Sequence, residues 1–96
     1  MKIIKWLEEE IEEEVHGAKC YAKKALELKE DYPEIADSLW MMSNEEMKHM
    51  QTLHNIVVKL IEQYRADNGE PPKEMLAVYN YLHEKHIEKA KDVKIL

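Results

Sequence analysis

Glu46 and His49 stand three residues apart in the stretch NEEMKHMQTLH. On a helix that spacing puts both side chains on one face. Read with Glu14, they make a set of two carboxylates and an imidazole. Such donors suit a divalent metal: iron, manganese or zinc. With no thiolate among them, soft-metal and iron–sulfur chemistry falls away. The rival chemistry is a hydrogen-bonded polar layer that only sets the register of a helical bundle.

The set matters because of where it falls in the hydrophobic pattern. A 3-4 spaced series runs Ile4, Leu7, Ile11, Glu14, Ala18, Tyr21, Ala25, Leu28, and another runs Ile35, Leu39, Met42, Glu46, His49, Leu53, Ile56, Leu60. Both have the spacing of bundle-core stripes, and both are broken near the middle by polar residues. A turn near residue 31 puts Glu14 about 17, Glu46 about 15 and His49 about 18 residues from the bend, so an antiparallel hairpin brings them to similar height. Unpaired carboxylates in a core cost several kcal/mol, and a bound cation offsets that cost directly.

The elements that must position them are set by two interruptions. In KEDYPEI, Pro33 suits the first turn of a helix, with Asp31 or Tyr32 at the cap. In ADNGEPPKE, Asn68-Gly69 reads as a left-handed C-cap and Pro71-Pro72 as a stop and restart. These signals predict three helices, over about 3–30, 33–66 and 72–93, in a single all-α domain spanning 1–96. A second apolar stripe on the middle helix (Trp40, Met47, Met50, Val57 and Ile61, in line with Ser43 and His54) requires burial from a second side, by the third helix, a second subunit or both.

Composition supports this frame. The 96 residues are 45% hydrophobic and 35% charged, with no Phe, two Gly and three Pro, and Glu, Lys, Leu, Ala and Met favour helix. A formal charge of −6 offers no basic patch for phosphates, so nucleic acid is not an expected partner. No apolar run reaches membrane-spanning length, and MKIIKWLEEE lacks the pattern of a signal peptide. A single Cys, Cys20, gives no intrachain disulfide and points to a reducing, cytoplasmic compartment. A core this small also favours a homodimer or a higher assembly of dimers.

Glu14 followed by Glu46-Met47-Lys48-His49 resembles the ferritin-like di-iron bundles, in which one helix gives a Glu and the next gives Glu-x-x-His, and the set occurs twice. Tyr21, seven residues after Glu14, is similar to a Tyr in the rubrerythrin branch. Small encapsulated ferritins, which split the site between subunits, resemble the chain too. The similarity covers about residues 8–64. It implies a long antiparallel two-helix hairpin plus a third helix, with a four-helix bundle completed by dimerisation. It also implies a di-iron site shared between subunits, and ferroxidase or peroxide-reducing activity toward O2 or peroxide in iron handling or oxidative-stress defence. Tyr21 would then be the catalytic candidate, its hydroxyl bonding a ligand carboxylate. The chain departs from the family in carrying one copy of the ligand set and no Cys-x-x-Cys pairs. It also shows no cargo peptide of the encapsulin type. The rival functions are a metal-binding module without turnover and a structural oligomerisation protein.

The remaining candidates read more plainly. Glu13-x-x-His16 repeats the spacing beside the stripe, as a flanking site at most. His54, His83 and His86 read as interface residues, although the last two reach a metal if helix 3 folds over the site. Met41, Met42, Met47 and Met50 read as core filler. The run from Glu8 to Glu14 reads as a solvated face in which only Glu14 keeps core phase and Glu10 draws cations.

Overall fold

The computed structural model describes residues 2–95; Met1 and Leu96, the ends of the expected domain, lie outside the described residues. The order is α1 (Lys2–Leu28), α2 (Pro33–Asn68) and α3 (Lys73–Ile95), and among the described residues there is no strand. The expected boundaries agree to within two or three residues. Pro33 begins α2 behind Tyr32, which caps through its backbone alone, without a side-chain hydrogen bond. Gly69 ends α2 at φ 81°, in the left-handed region open to glycine, and its N–H donates to the Arg65 carbonyl at 3.0 Å.

α1 and α2 run antiparallel along a rod of 56 × 17 × 17 Å. Their packing changes character along its length. Near the turn, Ala18, Ala22, Ala25 and Ala36 are buried and small, so the two backbones approach closely. There the Ser43 hydroxyl donates to the Ala18 carbonyl at 2.7 Å, satisfying a polar group that burial would otherwise penalise. At the far end Ile4, Leu7, Ile11 and Val15 pack on Val57 and Ile61. α3 lies along one side of the hairpin: Met75 and Tyr79 join the far cluster, and Val93 packs with Ala18 and Ala22 near the turn.

The buried series on α1 is Ile4, Leu7, Glu8, Ile11, Val15, Ala18, Ala22 and Ala25. The expected stripe shares positions 4, 7, 11, 18 and 25 but gives way at three others: Val15 replaces Glu14, Ala22 replaces Tyr21, and Leu28 is only half-buried. One residue is about 100° of helix rotation, and this small turn keeps the Glu14 carboxylate out of the dry core. On α2 the correction is larger. The intramolecular core takes Ala36, Ser43, Val57 and Ile61, whereas Ile35, Met42, His49 and Ile56 of the expected stripe are exposed. Small Ala36 and Ser43 fit the alanines of α1; Ile35 and Met42 do not.

The consequence is an uncovered apolar face. Helical spacing puts Ile3, Trp6, Tyr21 and Leu28 of α1 on the same side as Ile35, Met42, Leu53 and Ile56 of α2. This is the side away from α3. Ile3, Trp6, Ile35, Met42 and Ile56 are each 40–52% exposed, a contiguous patch unusual on a monomer surface.

Candidate metal centre

Glu14, Glu46 and His49 meet at the middle of that face, where each offers a ligand atom within 4.8 Å of the others. Glu14 Oε2 is 3.4 Å from His49 Nδ1. That oxygen is shielded from solvent and has no hydrogen-bond partner among the described residues. The imidazole itself is 62% exposed and the Glu14 side chain 23%. The site is therefore walled by the hairpin on one side and open on the other.

Two carboxylates this close cannot both stay charged cheaply. A hydrogen bond shared with Glu14 pushes the Glu46 carboxyl up to about 6, with desolvation and the Glu14 charge acting the same way and His49 opposing. The Ser43–Ala18 bond clamps α1 to α2 about one turn from the cluster, and Gly17 lies directly under the Glu46 side chain. A hard oxygen pair, an unpartnered Glu14 oxygen and a borderline imidazole fit a divalent cation by donor chemistry.

The other candidates lie elsewhere. Tyr21 is half-buried on the same strip as Glu14, and among the described residues no hydrogen bond joins it to the three. His16 is exposed and lies 3.6 Å from Cys20 Sγ, away from the cluster. His54 stacks on His83 at 4.3 Å, and Tyr79 continues the stack at 6.0 Å. Burial, then the neighbouring His83, holds His54 below its usual pKa. α3 does not fold over Glu14 and Glu46, so neither His83 nor His86 belongs to that site.

One cluster was not foreseen. Glu8, in the run read as solvated, is buried, with Oε2 3.3 Å from Nδ1 of buried His86. Glu12 lies 4.0 Å from Nε2 of the same ring and 3.9 Å from Lys89. Burial pushes Glu8 up and His86 down, each toward its neutral form. The signal for Glu8 was present: Ile4, Glu8, Ile11, Val15, Ala18, Ala22 and Ala25 form an unbroken heptad series. The Glu12–Lys89 ion pair and the buried Glu8–His86 pair together join α3 to α1, with Glu8 Oε2 and His86 Nε2 left without hydrogen-bond partners among the described residues.

In comparisons with protein-family models, curated proteins and solved structures, nothing matches this chain.

Proposed function

We propose that the chain is a ferritin-like half-bundle that pairs through its uncovered face and holds a di-iron centre between two copies. The observation that carries this reading is the position of Glu14, Glu46 and His49: a ligand set in the middle of an apolar face that nothing among the described residues covers. A two-fold axis through the cluster doubles it to four carboxylates and two imidazoles, the ligand count of a carboxylate-bridged pair of ions. The same axis buries Trp6, Ile35, Met42 and Ile56 against their copies. Iron is the favoured ion, with manganese or zinc compatible with the same donors.

Two ferrous ions, if held there, would supply two electrons together for reduction of O2 or peroxide. The chain's own residues set the conditions. Glu14 and Glu46 supply negative charge, His49 completes the donor set from the open side, and the flanking apolar side chains exclude bulk water once paired. Tyr21, on the same strip as Glu14, would bond a ligand carboxylate once the centre is formed. The activity is then ferroxidase or peroxide-reducing, in iron handling or oxidative-stress defence.

A second reading has one observation in its favour. Below about pH 6 a proton on Glu46, hydrogen-bonded to Glu14, relieves their repulsion without any metal, as in a polar layer that only fixes register. Metal content and solution mass, measured on one sample purified without chelator, separate the two. The metal reading expects a dimer with about one iron per subunit, lost in the double substitution Glu46→Ala and His49→Ala. Unchanged metal content in that variant defeats the site. A monomer still carrying two ions defeats the shared centre. Iron binding with no uptake of O2 or peroxide leaves a metal module and removes the enzyme.

A further inference from the structure

Gly17 occupies an odd place. It is half-buried in the interior of α1, one turn after Glu14, where glycine is the least favourable residue short of proline. Its backbone does not demand glycine, since the positive-φ residue of the described chain is Gly69. Nor does another helix backbone press upon it. A Cβ built at Gly17 meets Glu46 Oε2 at 3.4 Å, Glu46 Cδ at 3.6 Å and Glu46 Cγ at 3.9 Å as its nearest neighbours. A side chain at Gly17 would thus meet the outer part of the Glu46 side chain, from Cγ to Oε2, before anything else.

We propose that Gly17 is a positioning residue for the metal centre: its bare backbone seats the Glu46 side chain against α1, so that the carboxylate reaches Glu14 and keeps open space beside its binding oxygen. This rests on the metal reading of Glu14, Glu46 and His49. A methyl at Gly17 touches the resting carboxylate in ordinary contact and removes the space beside Oε2. A longer side chain does more. Helical side chains lean back over the preceding turn, and the preceding turn on this face carries Glu14. The leucyl group of Gly17→Leu therefore lies where Glu14 and Glu46 meet.

Stability and binding should then move in opposite directions. Alanine and leucine are both better helix formers than glycine. Gly17→Ala is expected to raise the melting temperature of the metal-free protein by a few degrees, while weakening Mn2+ binding severalfold, read by EPR of the free ion. Gly17→Leu is expected to stay folded and lose about tenfold or more in Mn2+ affinity, the scale on which altered ligand support acts. Solution mass is measured at the same concentrations. Wild-type affinity in folded Gly17→Leu overturns the proposal. So does a lower melting temperature in Gly17→Ala, which would make the glycine a packing device. Affinity lost only together with dissociation of the dimer also overturns it, by assigning the glycine to the interface.

A metal-free arm separates this proposal from the site itself. Should the wild type bind no Mn2+, the metal reading falls and takes the cofactor role of Gly17 with it. NOEs between Gly17 Hα and Glu46 Hγ then decide whether the seat exists. Their presence in the wild type and loss in Gly17→Leu uphold it, and their absence in the wild type overturns it.

Discussion

Glu14 Oε2 and His49 Nδ1 lie 3.4 Å apart across the seam of the hairpin, on the side that α3 leaves open. The oxygen has no hydrogen-bond partner among the described residues, although the imidazole is beside it. A divalent cation bound by both would offset the charge of two carboxylates, whereas a proton held between them would join these two atoms and offset the charge of one. That difference sets the first two predictions.

Glu46→Gln should separate fold from binding. The amide keeps hydrogen bonding to Glu14 and removes one of two repelling charges, so the metal-free protein at pH 7 gains stability. Because the site is open to solvent, the gain is held to below about 1 kcal/mol. Metal affinity falls by about tenfold or more, since a neutral amide is a poor substitute for a charged carboxylate ligand. Calorimetric titration with Mn2+ beside urea denaturation reads both; loss of stability with affinity unchanged would reverse the assignment.

The pH dependence of the metal-free protein carries the same information. Glu46 is raised from 4.5 to about 6 in the folded chain. A group raised on folding contributes stability that is present below its unfolded value and lost as pH rises through the folded one. Glu46 therefore stabilises near pH 4.5 and gives that contribution up by pH 7. Metal binding runs the other way, strengthening as pH climbs past about 6 and the shared proton leaves. The check is an NMR titration of the Glu46 carboxyl in chelated, metal-free buffer and again with diamagnetic Zn2+, in place of Mn2+, added in excess. A carboxyl titrating at its ordinary value would dissolve the coupling to Glu14.

His54 imposes the opposite trend within the same range. Burial and His83, stacked at 4.3 Å, hold its pKa below 6.5. A histidine depressed on folding contributes stability that is present above its unfolded value and lost as pH falls through the folded one. Acidification from pH 7 to 5 should loosen α3 from α2, seen as faster amide exchange along α3. Facing this stack are Tyr79, His86, Lys48 and Lys91, together with Glu8 near Tyr79. His54→Phe keeps the stack, removes one of the two charges and should flatten the acid response, while Glu46→Gln leaves it in place.

Much of this arrangement was legible in the sequence, for local reasons. Pro33, Gly69 and the Pro71-Pro72 pair punctuate the chain by backbone chemistry that tertiary packing does not override. The meeting of Glu14 with Glu46 and His49 followed from counting residues outward from one tight turn. The face on which they meet did not follow. Two series on α1 share Ile4, Ile11, Ala18 and Ala25 and differ by one residue between them, so periodicity could not choose Val15 over Glu14; the cost of burying a carboxylate chose. Glu8 was hidden for a different reason. It sits in a run of glutamates, and its partner His86 arrives from a helix whose docking register no spacing rule fixes.

Ser43 offers a test of the clamp beside the centre. Its hydroxyl donates to the Ala18 carbonyl at 2.7 Å, and the side chain is buried. Ser43→Ala loses that bond while leaving the carbonyl in its helical hydrogen bond, at a cost of about 1 kcal/mol. Ser43→Val adds bulk where the alanines bring the helices closest, at a cost of about 1–3 kcal/mol. It should also spread Glu14 from Glu46 and weaken Mn2+ binding, which Ser43→Ala should barely alter. Equal effects of the two on binding would show that helix separation does not govern the site.

The buried pair of Glu8 and His86 makes the sharpest prediction about α3. Their side chains are 9% and 5% exposed, with Oε2 and Nδ1 3.3 Å apart, and among the described residues neither Glu8 Oε2 nor His86 Nε2 has a hydrogen-bond partner. Removing one partner strands the other in a dry interface. His86→Ala leaves a buried carboxyl unpaired beside a cavity and should cost about 3 kcal/mol by urea denaturation. Glu8→Leu strands the imidazole instead and should cost about 2 kcal/mol. Combining Glu8→Leu with His86→Leu replaces the pair by apolar groups of similar reach, and such replacements are often neutral or stabilising. The double variant should therefore be more stable than either single one, with a coupling above about 1 kcal/mol. Additive losses would mean that α3 is held by Met75, Tyr79 and Val93 alone, and that Glu8 is buried by accident of the heptad rather than as the anchor of the third helix.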